Sequence, residues 1–178
     1  MTPANFNVPA IAFSASLIRG FEKFSAFPYY LSGWAIGYGS SRLADGSAVT
    51  THTPAMTKPE AEALMALVVG QLAAAMELQV TRAIPTCQAG ALLSFAYNVG
   101  DGGFAGSTLL RLLNAGNPAG VVAAQFLLWN HAAGVPNTGL ARRRTVEQRA
   151  FLGLPVNPVA FMSMAHPLGE LGQPPPIS

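Results

Sequence analysis

The stretch FEKFSAFPYYLSGWAIGYGS, residues 21–40, marks the point where the sequence changes from a helical to a sheet pattern. Before it, apolar residues recur at helical spacing over residues 9–24, which predicts an amphipathic helix that ends near Glu22. After it, glycine, serine and aromatic residues dominate, and Ser32-Gly33 is a turn signal. The order helix, then small antiparallel sheet, is therefore predicted for this part of the chain.

The rest of the chain up to residue 153 is patterned as helix. Thr57 and Glu60 form a capping box with a proline in the first turn, which predicts the start of a long helix. Thr86, Ser107 and Asn117 are predicted to cap three further helices. A last helix follows and contains three consecutive arginines.

These elements together predict an α+β fold, in which an N-terminal helix and a small antiparallel sheet lobe pack beside a mainly helical lobe. We expect one domain over residues 1–153, with the sheet lobe at about 25–56 and the helical lobe at about 57–153. Residues 154–178 contain six prolines and fit no regular element. We expect this proline-rich tail to pack on the body of the protein or on a protein partner.

Composition excludes several functional classes. Charged residues make up 10% of the chain and the net charge is +2, which is not the footprint of a nucleic-acid-binding protein. Cys87 is the only cysteine, so neither a disulfide within the chain nor a cysteine-based metal site is expected, and the three histidines lack ligand spacing. We predict no metal and no cofactor. The N-terminal segment has the pattern of neither a signal peptide nor a membrane span.

Three segments in order resemble glycoside hydrolase family 24, the phage-type lysozymes or endolysins. Residues 21–40 are similar to the family's opening, an acid-ended helix followed by Tyr-x-Asp and Trp-Thr-Ile-Gly-Tyr-Gly-His. Residues 88–117 are similar to its Phe-x-Asn-x-Gly and Ser-Thr-Leu-Leu segment, and residues 123–152 to its closing Phe-x-x-Trp and Gly-Leu-x-x-Arg-Arg-x-x-Glu helices. The resemblance covers about residues 15–153.

The resemblance implies cleavage of the MurNAc–GlcNAc glycosidic bond of bacterial peptidoglycan, with Glu22 as the general acid. It also places an arginine pair of the last helix near this acid, so Arg143 or Arg144 is the expected partner. An arginine there would hold the carboxylate in position. We expect a protein made in the cytoplasm that acts at the bacterial cell wall or as part of a phage-type particle.

Two residues of the family pattern are replaced in this chain. The family's threonine is Ala35, and its catalytic aspartate falls on Leu31. Neither side chain can accept a proton or hold a nucleophilic water. Ser40 stands where the family has histidine, and Lys23 replaces the glycine that commonly follows the acid.

The replacements leave three interpretations open: a muramidase with a rearranged site, a lytic transglycosylase that works with Glu22 alone, and a catalytically inactive lysozyme-like structural or cell-wall-binding protein. The second uses the sugar's own 6-hydroxyl as nucleophile and needs no second carboxylate. Four aromatic residues are candidates for stacking on sugar rings: Tyr29, Tyr30, Trp34 and Tyr38.

Overall fold

The computed structural model describes residues 4–30 and 33–163, with side chains as far as residue 160. Helix α1 spans Val8–Phe21 and is capped by Asn7, whose side chain accepts a hydrogen bond from the Ala10 N–H at 3.1 Å. The helix ends where the sequence predicts, because Glu22 turns to extended backbone.

Strands β1 (Ser25–Tyr30) and β2 (Trp34–Gly37) form the predicted antiparallel sheet. Tyr29 pairs with Ala35, and the pairing is irregular between Ser25 and Tyr29. The predicted turn at Ser32-Gly33 lies partly outside the described residues, as does Leu31. The sheet has two strands, and isolated bridges join Ile36 to Ser40 and Arg42 to Ala48 in the segment that follows.

The helical lobe begins with α2, Lys58–Gln79, which starts at the predicted Thr57 capping box. Four helices and one turn of 3₁₀ helix follow it: α3 (Thr86–Val99), α4 (Asp101–Ala105), α5 (Thr108–Asn114), α6 (Ala119–Ala124) and the 3₁₀ turn Gln125–Leu128. A short hairpin comes next, with β3 at His131–Ala132 and β4 at Val135–Pro136. Helices α7 (Thr138–Phe151) and α8 (Pro158–Ser163) end the described chain.

Helix α3 forms the centre of the core and packs against both α1 and α7. Its residues 89–96 are all buried, and burying one large apolar side chain stabilises the fold by about 1.5–3 kcal/mol. Gly90 allows α1 to come close, since a Cβ at that position would lie 2.5 Å from Phe13. The helices that carry Glu22 and the arginines are thus fixed on one scaffold.

Several predicted details are wrong. Pro85, rather than Thr86, precedes α3, and Pro118, rather than Asn117, precedes α6; neither proline provides a side-chain cap. The helix that begins at α6 also narrows to a 3₁₀ turn after residue 124. Short elements such as α4 and the β3–β4 hairpin carry too little periodicity to be recognised from sequence.

The start of the proline-rich segment is helical, contrary to the prediction that no regular element fits it. Asn157 caps α8 by accepting a hydrogen bond from the Ala160 N–H at 3.1 Å. The helix packs against α1 and α7, and Pro158 lies directly on Gly20. Residues 164–178, the rest of the predicted tail, lie outside the described residues.

Among the described helices, α2 is long and apolar enough to cross a membrane by length and composition. Most of its buried side chains, among them Met65, Val69 and Met76, belong to the main hydrophobic core. A core helix of this kind meets the same length and composition test.

Candidate active site

Glu22 lies directly after α1, at the junction between the helix and the sheet. Its backbone N–H donates to the Ile18 carbonyl at 2.8 Å, which fixes the direction in which the side chain leaves the helix. Oε1 of its carboxylate accepts a hydrogen bond from Arg143 Nη1 at 2.5 Å. The side chain is 24% exposed, so this acid remains open to an incoming ligand.

Arg143, on α7, is the predicted arginine partner of Glu22. It is 5% exposed and uses its other nitrogens inside the protein, with Nε donating to Glu147 Oε1 at 3.0 Å and Nη2 to the Ser94 carbonyl at 3.1 Å. Burial lowers the pKa of the Arg143 guanidinium, but the negative charges of Glu147 and Glu22 outweigh burial and raise the pKa. The group is therefore a fixed positive charge behind the acid.

Arg144 does not contact Glu22, so the alternative prediction for the partner is wrong. It donates through Nε to the Trp129 carbonyl at 3.0 Å and through its other nitrogens to Glu147 and Asn98. Burial lowers the pKa of Arg144, although Glu147 opposes this effect. Its guanidinium also lies over the Phe95 ring of α3, so the group is bound within the helical lobe.

Glu147, on α7, is a further residue of the site that the sequence analysis does not identify. It is fully buried and accepts hydrogen bonds from Ser94 Oγ at 2.8 Å, from Arg143 and from Arg144. The available signal was its position three and four residues after two arginines, the spacing that brings side chains together on one face of a helix.

On the side away from Arg143, Glu22 faces Gly39 and Tyr29. A Cβ built on Gly39 would lie 3.6 Å from Glu22 Oε2 and 3.8 Å from the Tyr29 hydroxyl. Tyr29 is half-buried, and burial together with the negative charge of Glu22 raises the pKa of its hydroxyl.

Tyr97, on α3, contacts the loop next to Glu22, and the sequence analysis does not identify it either. Its hydroxyl donates to the Tyr38 carbonyl at 2.8 Å, which fixes the loop that carries Gly39. Burial raises the pKa of Tyr97 to about 12, with a smaller contribution from Glu22, while the nearby Ser40 hydroxyl acts in the opposite direction. A tyrosine inside a helical apolar run gave no sequence signal for this contact.

The four predicted sugar-stacking residues divide into two groups. Tyr30 is 64% exposed, and its ring packs edge-on against Trp34 with centroids 5.5 Å apart. These two rings and Tyr29 lie on the strands beside Glu22. Tyr38 is buried and packs against Phe24, so its ring has no free face for a sugar and that prediction is wrong.

The other described acids with assigned contacts are held by partners away from Gly39. Asp45 is an exposed turn residue and accepts hydrogen bonds from the Ser47 N–H and hydroxyl. Glu147 is on the buried side of Arg143, whose guanidinium separates it from Glu22. The remaining three accept hydrogen bonds elsewhere: Glu60, Glu77 and Asp101. Among the described residues, histidine, cysteine and acidic side chains form no group that could hold a metal ion.

A helix-end glutamate between a helical lobe and a small sheet, held by a buried arginine, defines a lysozyme-like protein. Residues 19–147 match the phage lysozyme family, and the chain belongs to that family.

Individual relatives agree with this assignment. The chain is 33% identical over 151 residues to the SAR-endolysin of Enterobacteria phage PA-2. The match covers 80% of this chain and 88% of the relative. The solved endolysin of Escherichia coli O157:H7 phage FAHEc1 superimposes with a TM-score of 0.70 at 29% identity, covering 81% of this chain and 94% of that one. The endolysin of Bacillus phage B103 is 52% identical over 62 residues. That match spans 35% of this chain and only 23% of the length of the relative.

Proposed function

We propose that this chain cleaves glycosidic bonds of bacterial peptidoglycan, with Glu22 as the general acid and with its site of action at the bacterial cell wall. The observation that carries the proposal is that the two oxygens of the Glu22 carboxylate have different surroundings. Oε1 is held by Arg143 at 2.5 Å, while Oε2 faces the exposed Gly39. Arginine can only donate hydrogen bonds, so the proton of the neutral acid belongs on Oε2.

A proton on Oε2 points toward the side of the site from which a sugar chain can approach. Tyr30 and Trp34 pair across β1 and β2 and offer ring surface on which sugar rings can stack, on the sheet that follows Glu22 in the chain. Protonation of the glycosidic oxygen by a positioned carboxylic acid is the step that general acid catalysis supplies, and it contributes about 10²–10⁴-fold in rate.

A transglycosylase that forms 1,6-anhydro ends is the second candidate, and the replacement of the family's threonine by Ala35 favours it. Ala35 pairs with Tyr29 on the sheet and has only a methyl group to offer. The missing aspartate corresponds to Leu31, which lies outside the described residues. A reaction that uses the sugar's own 6-hydroxyl needs neither of the two absent groups.

The catalytic unit in this proposal is residues 1–153, and residues 154–178 are an appendage that can contact a protein partner. The family match over residues 19–147 supports this extent of the catalytic unit, and α8 attaches the first part of the appendage to α1 and α7.

The test is release of soluble fragments from purified peptidoglycan by the wild-type protein and by Glu22→Gln. We expect release by the wild type and a loss of at least about 100-fold in Glu22→Gln, with Glu62→Gln on α2 as a matched control that keeps its activity. Mass spectrometry of the products separates the candidates, because hydrolysis gives reducing ends and transglycosylation gives anhydro ends. A folded wild-type protein that releases nothing but binds cell walls would instead indicate an inactive binding protein.

A further inference from the structure

The Glu22 carboxylate and the Tyr29 hydroxyl line a small niche beside Gly39. The niche is open to solvent, because Gly39 is exposed. We infer that Tyr29 is a catalytic residue, whose hydroxyl and Glu22 Oε2 together hold the attacking oxygen in this niche. The inference rests on the proposed function and assigns the polar group that works opposite Glu22 in a site without the usual aspartate and threonine.

The geometry of the niche follows from Gly39. Its φ of +89° is a left-handed conformation that glycine adopts without strain, and the residue is exposed. The heavy atoms nearest to a Cβ at this position belong to the carboxylate of Glu22, at 3.6 and 3.8 Å, and to the hydroxyl of Tyr29, at 3.8 Å. A small ligand group beside Gly39 therefore meets a carboxylate oxygen and a phenol oxygen as its nearest polar neighbours.

The chemistry of the two neighbours is complementary. Oε2 is the carboxylate oxygen that is left available for proton transfer, because Arg143 binds Oε1. The Tyr29 hydroxyl can both donate and accept a hydrogen bond. Burial and the negative charge of Glu22 raise the pKa of Tyr29, so the phenol keeps its proton at neutral pH. It can therefore orient an oxygen without changing its own charge.

The reaction balances with these groups alone. Glu22 Oε2 gives its proton to the glycosidic oxygen, and the bond from that oxygen to C1 breaks with its electron pair on the leaving oxygen. The oxygen in the niche then forms a bond to C1 and releases its proton to Oε2, which restores the acid. When the attacking oxygen is water, the product is a reducing end; when it is the sugar's 6-hydroxyl, the product is a 1,6-anhydro end.

One stereochemical consequence distinguishes this arrangement from a water held on the opposite face of the sugar. The same Oε2 gives a proton to the departing oxygen and receives one from the attacking oxygen, so attack occurs on the face that the leaving group has left. The configuration at C1 is therefore retained, whereas a second carboxylate that activates a water on the opposite face produces inversion.

The test compares wild-type protein with Tyr29→Phe, Gly39→Ala and Gly46→Ala on peptidoglycan and on a soluble glycan fragment. Tyr29→Phe removes only the hydroxyl. Gly39→Ala fills the niche with a methyl group, and Gly46→Ala is its matched control, because Gly46 has a similar φ of +84° with nothing within 4 Å of an added Cβ. Thermal unfolding of each variant checks that the protein is folded at the assay temperature.

We expect Tyr29→Phe to lower kcat by at least about tenfold with little change in KM, and Gly39→Ala to lose far more activity than Gly46→Ala. NMR of the first product formed from the glycan should show retained configuration at C1, or mass spectrometry should show a 1,6-anhydro end. Tyr29→Phe with the kcat of the wild type, equal losses in the two glycine variants, or inverted product each overturns the inference while leaving Glu22 as the acid. A wild-type protein that releases no product overturns the proposed function and the inference with it.

Discussion

Arg143 and Glu147 lie one helical turn apart on α7 and meet inside the protein, with Nε to Oε1 at 3.0 Å. The same guanidinium reaches Glu22 through Nη1, across the boundary between α7 and α1. The position of the candidate acid is thus set by a buried ion pair on another helix. This explains how an acid at a helix end, which has few local restraints, is held in one orientation.

The buried carboxylate of Glu147 compensates two buried guanidinium groups, so Glu147→Gln should destabilise the fold. Removing one partner of a buried ion pair costs about 3–5 kcal/mol, since the remaining charge has lost its compensation. Urea denaturation of the variant should show this loss. Glu62→Gln on the first part of α2 is the comparison, and an equal effect of the two changes would contradict the role assigned to Glu147.

Tyr97 should make the stability of the protein depend on alkaline pH. Burial raises its pKa from 10.0 to about 12 in the folded protein, so the unfolded chain loses this proton first as the pH rises. The contribution is fully present below pH 10 and is lost as the pH rises toward 12, by up to about 2–3 kcal/mol.

A comparison with Tyr97→Phe isolates this effect. The variant lacks the hydrogen bond to the Tyr38 carbonyl, which costs about 1 kcal/mol at neutral pH. Its free energy of unfolding should approach that of the wild type, and then exceed it, between about pH 9 and pH 11.5 in urea titrations. A difference between the two proteins that stays constant over this range would show that Tyr97 ionises as easily when folded as when unfolded.

Local sequence rules predicted the parts of the fold that local interactions determine. The Thr57–Glu60 capping box and the end of α1 at Glu22 each depend on a few neighbouring residues, and both are where the sequence puts them. The family resemblance left two candidates for the arginine partner, Arg143 and Arg144, because the choice between neighbours depends on how α7 is rotated on α3.

The features that sequence reasoning missed depend on contacts between distant segments. Glu147 has the spacing of a surface residue until α3 covers it, and Tyr97 belongs to an apolar helix until its hydroxyl meets the loop at Tyr38. Tyr38 carries a family motif but is buried by the packing of the sheet on the helical lobe. In each case burial by another element reverses the meaning of the local pattern.

Two helical glycines should respond in opposite directions to the same change. Gly20 on α1 and Gly70 on α2 both gain helix propensity on substitution by alanine, by about 0.5–1 kcal/mol. An added Cβ at Gly70 meets nothing within 4 Å, so Gly70→Ala should stabilise the protein by that amount. An added Cβ at Gly20 would lie 2.3 Å from the Cβ of Pro158, which no real contact tolerates.

Gly20→Ala should therefore lose the packing of α8 on α1, and the gain in propensity should not offset that loss. Urea denaturation gives the two free energies of unfolding, and limited proteolysis reports on the connection at residues 154–157, which should be cut faster in Gly20→Ala than in Gly70→Ala. Equal stabilisation of the two variants with equal cleavage would mean that α8 does not rest on α1 in solution. Gly20 is two residues before Glu22, so the same variant also tests the orientation of the acid. If α8 is displaced and the release of peptidoglycan fragments is unchanged, the contact with Arg143 is sufficient to orient Glu22 without α8.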